Sequence, residues 1–600
     1  MGFRDEFKRE MKNVMKDVES EVDKTWKIEY KGHHIEVINR MNEELLIIDG
    51  VTVDSNKRKY ILSHIIPYTK LAGELVMLDG TKKRVSVKIG GYIRFNCRVK
   101  VGSETVLDES MKLEFLPWEH REKIVPFIQQ QVQSHQKTVD DRLPDDEYLY
   151  DEHEPRLAPG LSDYISDDIP FPFHAKNLVK CFEEQVQNPG SKTRKITYEK
   201  IIYDNLASCR DEVIERLQQT ALDESLVQQE ALWFLEHAAH RDVVKFALLV
   251  LAYTNCEKYK ELIYTIGLHE EFTLYAVFAL KNGTSRANTQ IWSLAQSVHG
   301  WGKIAAVEQL EASTSEMKYW LLTEGCKNTV MNDYLAYTCA VKGELDVALH
   351  EETITKDLYE GAGLIIQEML DENAHLGIEE YPYADEVLIR YIFHARTYCQ
   401  TLDNFYTLIK ISKFLDEAEE RGTVLKRFNS IKEALQPFIK DPEWLNLAME
   451  VLEQEYNSKT LEIARFYQVD ISAQLFRWLE KSPVDSKLYS AIMDTKVRPH
   501  IERLCAFAES HLSLSKLSDE EKECLQCIIQ SLEGFEGVGR SLIKAALESD
   551  NGSLQYHALY VLNEWNPIYS QDPAMQKAIK LIANTTKDKE DRQLAKNLLK

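Results

Sequence analysis

Six hundred residues exceed what one compact core usually organises, so the chain is either several domains or a repeat array. Hydrophobic residues at 44% and charged residues at 28% describe a chain that folds and exclude one that is largely disordered. Ninety-seven Asp plus Glu against 73 Lys plus Arg leave a net charge of -24, which repels phosphate backbones and anionic bilayers, so neither nucleic acid nor an acidic membrane is expected as a partner.

Over residues 1–24, Phe3, Phe7, Met11, Val14, Val18 and Val22 recur three or four apart, which predicts an amphipathic helix. Its polar faces mix Asp and Glu with Lys and Arg, so it is expected to dock on protein and not on a bilayer. These residues also lack the uninterrupted apolar stretch of a signal peptide, and no apolar run approaches the roughly 18 residues of a bilayer span. The ten cysteines are spread thinly among apolar neighbours and are expected to be free thiols; a cytoplasmic location follows as the expectation.

From Trp26 to about Phe115, β-branched and aromatic segments alternate with turns at Gly32, Asp49-Gly50, Asp79-Gly80, Gly90-Gly91 and Gly102. WKIEYKG, HIEVINR, ELLIIDGVTV, KLAGELVMLDG, KRVSVKIGG and FNCRVKVGSETVL each bury one face, which predicts a small all-β sandwich or barrel over 25–136. Residues 137–173 are acidic and hold five of the 16 prolines, so they read as a linker, extended and mobile unless a surface of opposite sign holds them. Residues 174–600 read as helix after helix, with no proline between Pro189 and Pro382. RDVVKFALLVLAYT, EEFTLYAVFALKNG, HGWGKIAAVEQLEAS and MNDYLAYTCAVKG recur at intervals of about thirty residues, the mark of stacked helix pairs in an α-solenoid. The fold class is therefore multidomain α+β, with a small N-terminal β-domain ahead of an all-α solenoid whose polar last helix reads as a cap.

Chemistry-bearing motifs are sparse. Gly300-Trp301-Gly302-Lys303-Ile304-Ala305 has the GxGxxA letters of a dinucleotide loop, making Gly300, Gly302 and Ala305 the cofactor-binding candidates. The preceding IWSLAQSVH reads as helix where that loop requires a strand, and a helix-to-helix turn is the plainer account. Gly361-Ala-Gly363 and Gly534, Gly537 and Gly539 do not match a phosphate loop and read as turns. Cys524-Leu-Gln-Cys527 stands alone at helical spacing among apolar residues, so packing is favoured over redox or metal chemistry. His237 and His240 make half a metal site, while His33-His34 on a strand point to opposite faces; no metal site is assigned. No cysteine is followed two residues later by glycine, which argues against a haem-thiolate loop. The run DDEYLYDEHE, Asp145–Glu154, reads as a solvated charge run, with docking of a basic partner as the alternative. Tryptophans recur through the solenoid, mainly as core; Trp292, Trp301 and Trp320 are the candidates for an apolar ligand groove, because the flanking glycines are expected to expose Trp301.

The helical pairs 231-ALWFLEHAAHRDVVKFALLVLAY and 541-SLIKAALESDNGSLQYHALYVLNEW resemble HEAT-like repeats, which implies a protein-binding scaffold. Trp26-Lys-Ile-Glu-Tyr with LLIIDG and a later Gly-Glu-Leu is similar in pattern to the β-sandwich of Fas apoptotic inhibitory molecules, which implies no chemistry. His299-Gly300-Trp301-Gly302-Lys303 with AAVEQL and Trp320-Leu-Leu resembles bacterial proteins carrying the name limonene hydroxylase. That resemblance implies monooxygenation of a cyclic monoterpene, with a carveol-type alcohol dehydrogenase step and NAD(P) or a flavin as cofactor, although no cofactor is evident from the residues. Two expectations stand: a helical-repeat scaffold for a protein partner or an apolar ligand, or a limonene oxidoreductase whose catalytic residues the sequence does not identify.

Overall fold

The computed structural model describes residues 23–40, 43–57, 68–77, 79–90, 94–112, 116–135, 141–150, 156–165, 172–203, 206–421, 427–586 and 588–599. The helix expected over 1–24 lies almost wholly outside them. Eight strands come first: β1 (Lys24–Tyr30), β2 (His33–Asn39), β3 (Glu43–Ile48), β4 (Val51–Lys57), β5 (Tyr68–Val76), β6 (Lys82–Gly90), β7 (Arg94–Val101) and β8 (Glu104–Lys112). They form two antiparallel sheets, β1-β2-β3-β4 and β5-β6-β7-β8. Tyr30 pairs with His33 and Ile48 with Val51, so each hairpin turns on two residues. Lys31-Gly32 and Asp49-Gly50 carry positive φ throughout, the conformation that matches strand twist and that glycine adopts without steric cost.

Period-two burial then puts one face of each sheet inside. Ile35, Val37 and Leu46 of the first sheet share a core with Val85, Val87 and Val99 of the second, so the β-domain is a sandwich. Trp26 Nε1 donates to Glu109 at 2.7 Å and Tyr30 OH to Glu104 at 2.8 Å, joining β1 to β8. Among the described residues the last strand ends at Lys112. Residues Ile124–His135, inside the segment read as all-β, form a helix instead, because Ile124, Val125 and Ile128 are buried at helical spacing and Pro126 falls in the first turn, where proline is tolerated.

The chain divides into two compact units, residues 1–345 with 373–377, and residues 346–372 with 378–600. In the first, helices Arg241–Leu251, Glu270–Gly283, Gly300–Gln309 and Asn332–Gly343 begin about thirty residues apart and pack in succession. Helices Glu224–His237, Lys260–Gly267, Ala287–Ser297 and Ser315–Trp320 each pair with the one that follows. The ladder is that of a helical-repeat array, in which each pair buries its apolar stripe on its neighbours. In the second unit, helices Ser486–Met493, Asp519–Ile529, Gly552–Glu564 and Lys589–Leu598 form one ladder, and Arg498–His511, Arg540–Glu548 and Pro573–Thr585 another. Leu504, Leu525, Ile543, Leu559 and Ile579 lie in the core that both share. Ser518 and Glu521 form a reciprocal capping box at the start of the 519–529 helix. The 589–598 helix buries Ala595, packs Leu594 and Leu598 partly buried against the core, and is polar on its remaining faces. No helix among the described residues is long and apolar enough to cross a membrane.

Candidate functional site

The helix Arg241–Leu251 (RDVVKFALLVL) is apolar on nearly every side, yet it carries Arg241 and Lys245 one turn apart and therefore on one face. Lys245 is only 2% exposed, a position an unpaired ammonium cannot hold. Its Nζ lies 2.8 Å from Asp163 and 2.7 Å from Glu271, and Tyr275 OH donates to the other Asp163 oxygen at 2.6 Å. Arg241 binds the buried Asp145 through Nη2 at 2.9 Å and Nε at 3.2 Å, and its backbone N–H donates to the same carboxylate at 2.7 Å. Arg241 also reaches Asp146, which Arg156 contacts at 2.9 Å. The second Glu271 oxygen accepts the Gly160 N–H at 3.0 Å.

These bonds fasten the acidic proline-containing stretch at two points, 145–146 and 160–163. Its described residues are not a free extended linker: Asp146–Leu149 is a short helix and Leu161–Asp163 a 3-10 turn. Arg241 and Lys245 supply the surface of opposite sign that the sequence reading required for docking.

Neighbouring charges split the two adjacent glutamates. Burial pushes Glu271 up, but Lys245 and Arg241 outweigh it and hold its carboxyl at about 2. Glu270 has no such cations; burial and then Asp141 raise it to about 7, against one opposing N–H bond from His299. Burial also works against the Lys245 charge, yet Glu271 and Asp163 prevail and raise its pKa.

A cleft of about 460 Å³ lies in the same unit, with Trp118, Lys123, Arg194, Trp233 and His237 among its lining. Trp118 meets Trp233 edge-on at 4.9 Å, His237 stacks on Trp233 at 4.3 Å, and the Arg194 guanidinium sits 4.4 Å over the same indole. Arg194 also forks onto Glu230 at 2.7 and 2.9 Å. Arg121 links cleft and clamp: it lies 4.2 Å over the Tyr148 ring and donates to His240 Nε2 at 3.0 Å. The His240 proton therefore sits on Nδ1, facing Tyr198 Oη at 3.0 Å, while burial and then Arg121 and Lys123 hold the ring neutral, down to about 3. The wall is aromatic with cations at its edge, suited to flat or anionic groups.

His237 and His240 thus have separate duties and do not face one metal; among the described residues no group of three His, Cys, Asp or Glu is arranged to hold a metal ion. Gly300, Gly302 and Ala305 are buried at the start of the 300–309 helix, which follows another helix and not a strand. A Cβ at Gly302 would stand 2.6 Å from Thr273 Oγ1, and one at Gly300 would stand 2.3 Å from Glu270 Oε2. These glycines admit the 270–283 helix, so the space a pyrophosphate needs is filled by protein. Trp301 is a correction to the expectation of exposure: it is 5% exposed, packed on Tyr164 at 4.7 Å and Tyr334 at 5.4 Å. Trp292 is half-buried in the 287–297 helix, and Trp320 ends the 315–320 helix with the Lys303 ammonium 5.5 Å over its ring. All ten cysteines are free; burial pushes the Cys524 thiol up to about 12 and raises Cys527, which removes the thiolate a redox pair needs.

Arg241, Lys245, Glu271, Tyr275 and Asp163 escaped the sequence reading. The one available signal was a lysine in the middle of an all-round apolar helix, a residue that must find an anion.

No family model matches the chain, and no curated protein matches it, so the resemblance to proteins named limonene hydroxylase gains no support there. Among solved structures, a homology model of the full-length AP-3 complex in an intermediate open conformation matches at 11% identity, covering 78% of this chain and 79% of that one. Its TM-score is 0.20.

Proposed function

We propose that the chain is a helical-repeat scaffold that binds a protein partner. The observation that carries this reading is the regular ladder, in which helices beginning at 241, 270, 300 and 332, and again at 486, 519, 552 and 589, stack in succession. Stacking of this kind presents equivalent strips of surface from helix after helix, an arrangement suited to an extended contact. The close packing of Gly300 and Gly302 on the 270–283 helix supports the scaffold reading over a cofactor loop for monoterpene oxidation.

Immobilised full-length chain, exposed to native extract and cross-linked, is expected to retain a protein whose cross-links fall along these ladders. In parallel, purified chain incubated with limonene and NAD(P)H is expected to remain colourless and to yield no oxygenated product. Cofactor-dependent product, or cross-links confined to places outside both ladders, overturns the scaffold reading.

A further inference from the structure

The 552–564 helix carries Tyr556 and Tyr560 four residues apart, at 38% and 39% exposure, with ring centroids 6.5 Å apart and planes 27° from parallel. Spacing of four places both rings, and Glu564 after them, on one helix face. On other faces Leu554, Ala558, Leu559, Val561 and Leu562 are buried, so the tyrosines do not serve the core.

Charge completes the patch. Glu564 follows Tyr560 by four residues on the same helix, and the Glu533 carbonyl accepts Trp565 Nε1 at 3.0 Å, which brings Glu533 to the end of that helix; Glu533 and then Glu564 raise the Tyr560 hydroxyl above its ordinary range. Both glutamates are exposed. Glu564 accepts a hydrogen bond from Asn563 at 3.2 Å, and neither Glu533 nor Glu564 is in an ion pair among the described residues. Elsewhere exposed carboxylates commonly have a cation, as Glu453 has Arg477 at 2.6 Å and Asp550 has Lys522 at 3.0 Å. Two aromatic faces beside two anions without a cation form a site complementary to a positive side chain, because a guanidinium or ammonium over a ring is attracted by the ring quadrupole and steered in by carboxylates.

Building on the scaffold reading, we propose that Tyr556, Tyr560, Glu533 and Glu564 form a docking site for a basic, arginine- or lysine-bearing segment of the partner protein. The cation lies over the tyrosine faces, and the carboxylates set its approach.

The test is a fluorescence-anisotropy titration of the full chain with a labelled dodecapeptide of alternating serine and arginine, and with its serine–glutamate counterpart. Wild type is expected to bind only the basic peptide. The double variant Tyr556→Ala/Tyr560→Ala is expected to bind it about tenfold more weakly, from two lost cation–π contacts. Glu533→Gln/Glu564→Gln is expected to weaken binding and flatten its salt dependence. Because a chain of net charge -24 attracts any cation, Glu417→Gln/Glu420→Gln removes equal charge at another exposed site and is expected to leave binding unchanged. Undiminished binding by the tyrosine variant, or equal weakening by the remote glutamine pair, overturns the proposal. A partner retained with cross-links along the ladders while the peptide ignores this patch overturns the docking site alone; failure to retain any protein overturns the scaffold reading instead.

Discussion

Lys245 sets the terms on which its surroundings are stable. Its ammonium neutralises Asp163 and Glu271 in a region with almost no solvent, so Lys245→Met leaves both carboxylates buried without it, Glu271 keeping Arg241 at 3.6 Å as its cation. Breaking such a pair costs about 3–5 kcal/mol, and hydrogen exchange of the 241–251 amides is expected to accelerate accordingly. Glu270 gives an opposite and titratable effect. Its carboxyl sits at about 7 in the fold against an ordinary 4.5, so between these values the folded state holds a proton that the unfolded chain has released. Stability contributed by this group is therefore present below about pH 4.5 and lost as pH rises through about 7. Glu270→Gln keeps the neutral form, so the variant is expected to gain on wild type in thermal unfolding as pH rises through that window, and an unchanged difference contradicts the assignment. At this scale the sequence is least legible. Trp301 stands between glycines, which sequence reading takes as exposure, but the same glycines let the 270–283 helix close over the position.

Elements were read more successfully where the signal is local. Asp49-Gly50 marks its own turn through backbone preference, and the period of RDVVKFALLVL marks its own helix, so both appear where expected. The 124–135 helix reads as part of the β-domain because its few apolar residues announce no period as strong as the strands before it. The fastened stretch was illegible for another reason: its partners lie 96 residues away for Asp145 and 82 for Asp163. An acidic run looks solvated until the cations that meet it are known. Arg241→Ala removes the guanidinium from Asp145 and Asp146, leaving Asp145 its bond from the 241 backbone N–H and leaving Lys245 in place. At about 3 kcal/mol for a broken buried pair, detachment becomes roughly a hundredfold more populated. Limited digestion with a glutamate- and aspartate-specific protease is expected to cut between 141 and 165 correspondingly faster, while the helices stay resistant.

Over the whole molecule, charge and repetition dominate. A net charge of -24 makes duplex DNA and heparin, both polyanions, partners that the chain should repel. The full chain is expected to pass through heparin in dilute buffer and to leave labelled duplex DNA unshifted; retention that falls with salt refutes this. Repetition means that helices pack on their neighbours in sequence and on helices about thirty residues away. The clamp, like the 124–135 helix, reaches across about a hundred residues, and it implies an order of events. Helices 241–251 and 270–283 close short loops and form from nearby chain, whereas Asp145 and Asp163 have no cationic seat until the 241–251 helix exists. The clamp is thus expected to close late and to act as a brake on unfolding: in stopped-flow kinetics Arg241→Ala should speed escape from the native state and leave the rate of reaching it nearly untouched.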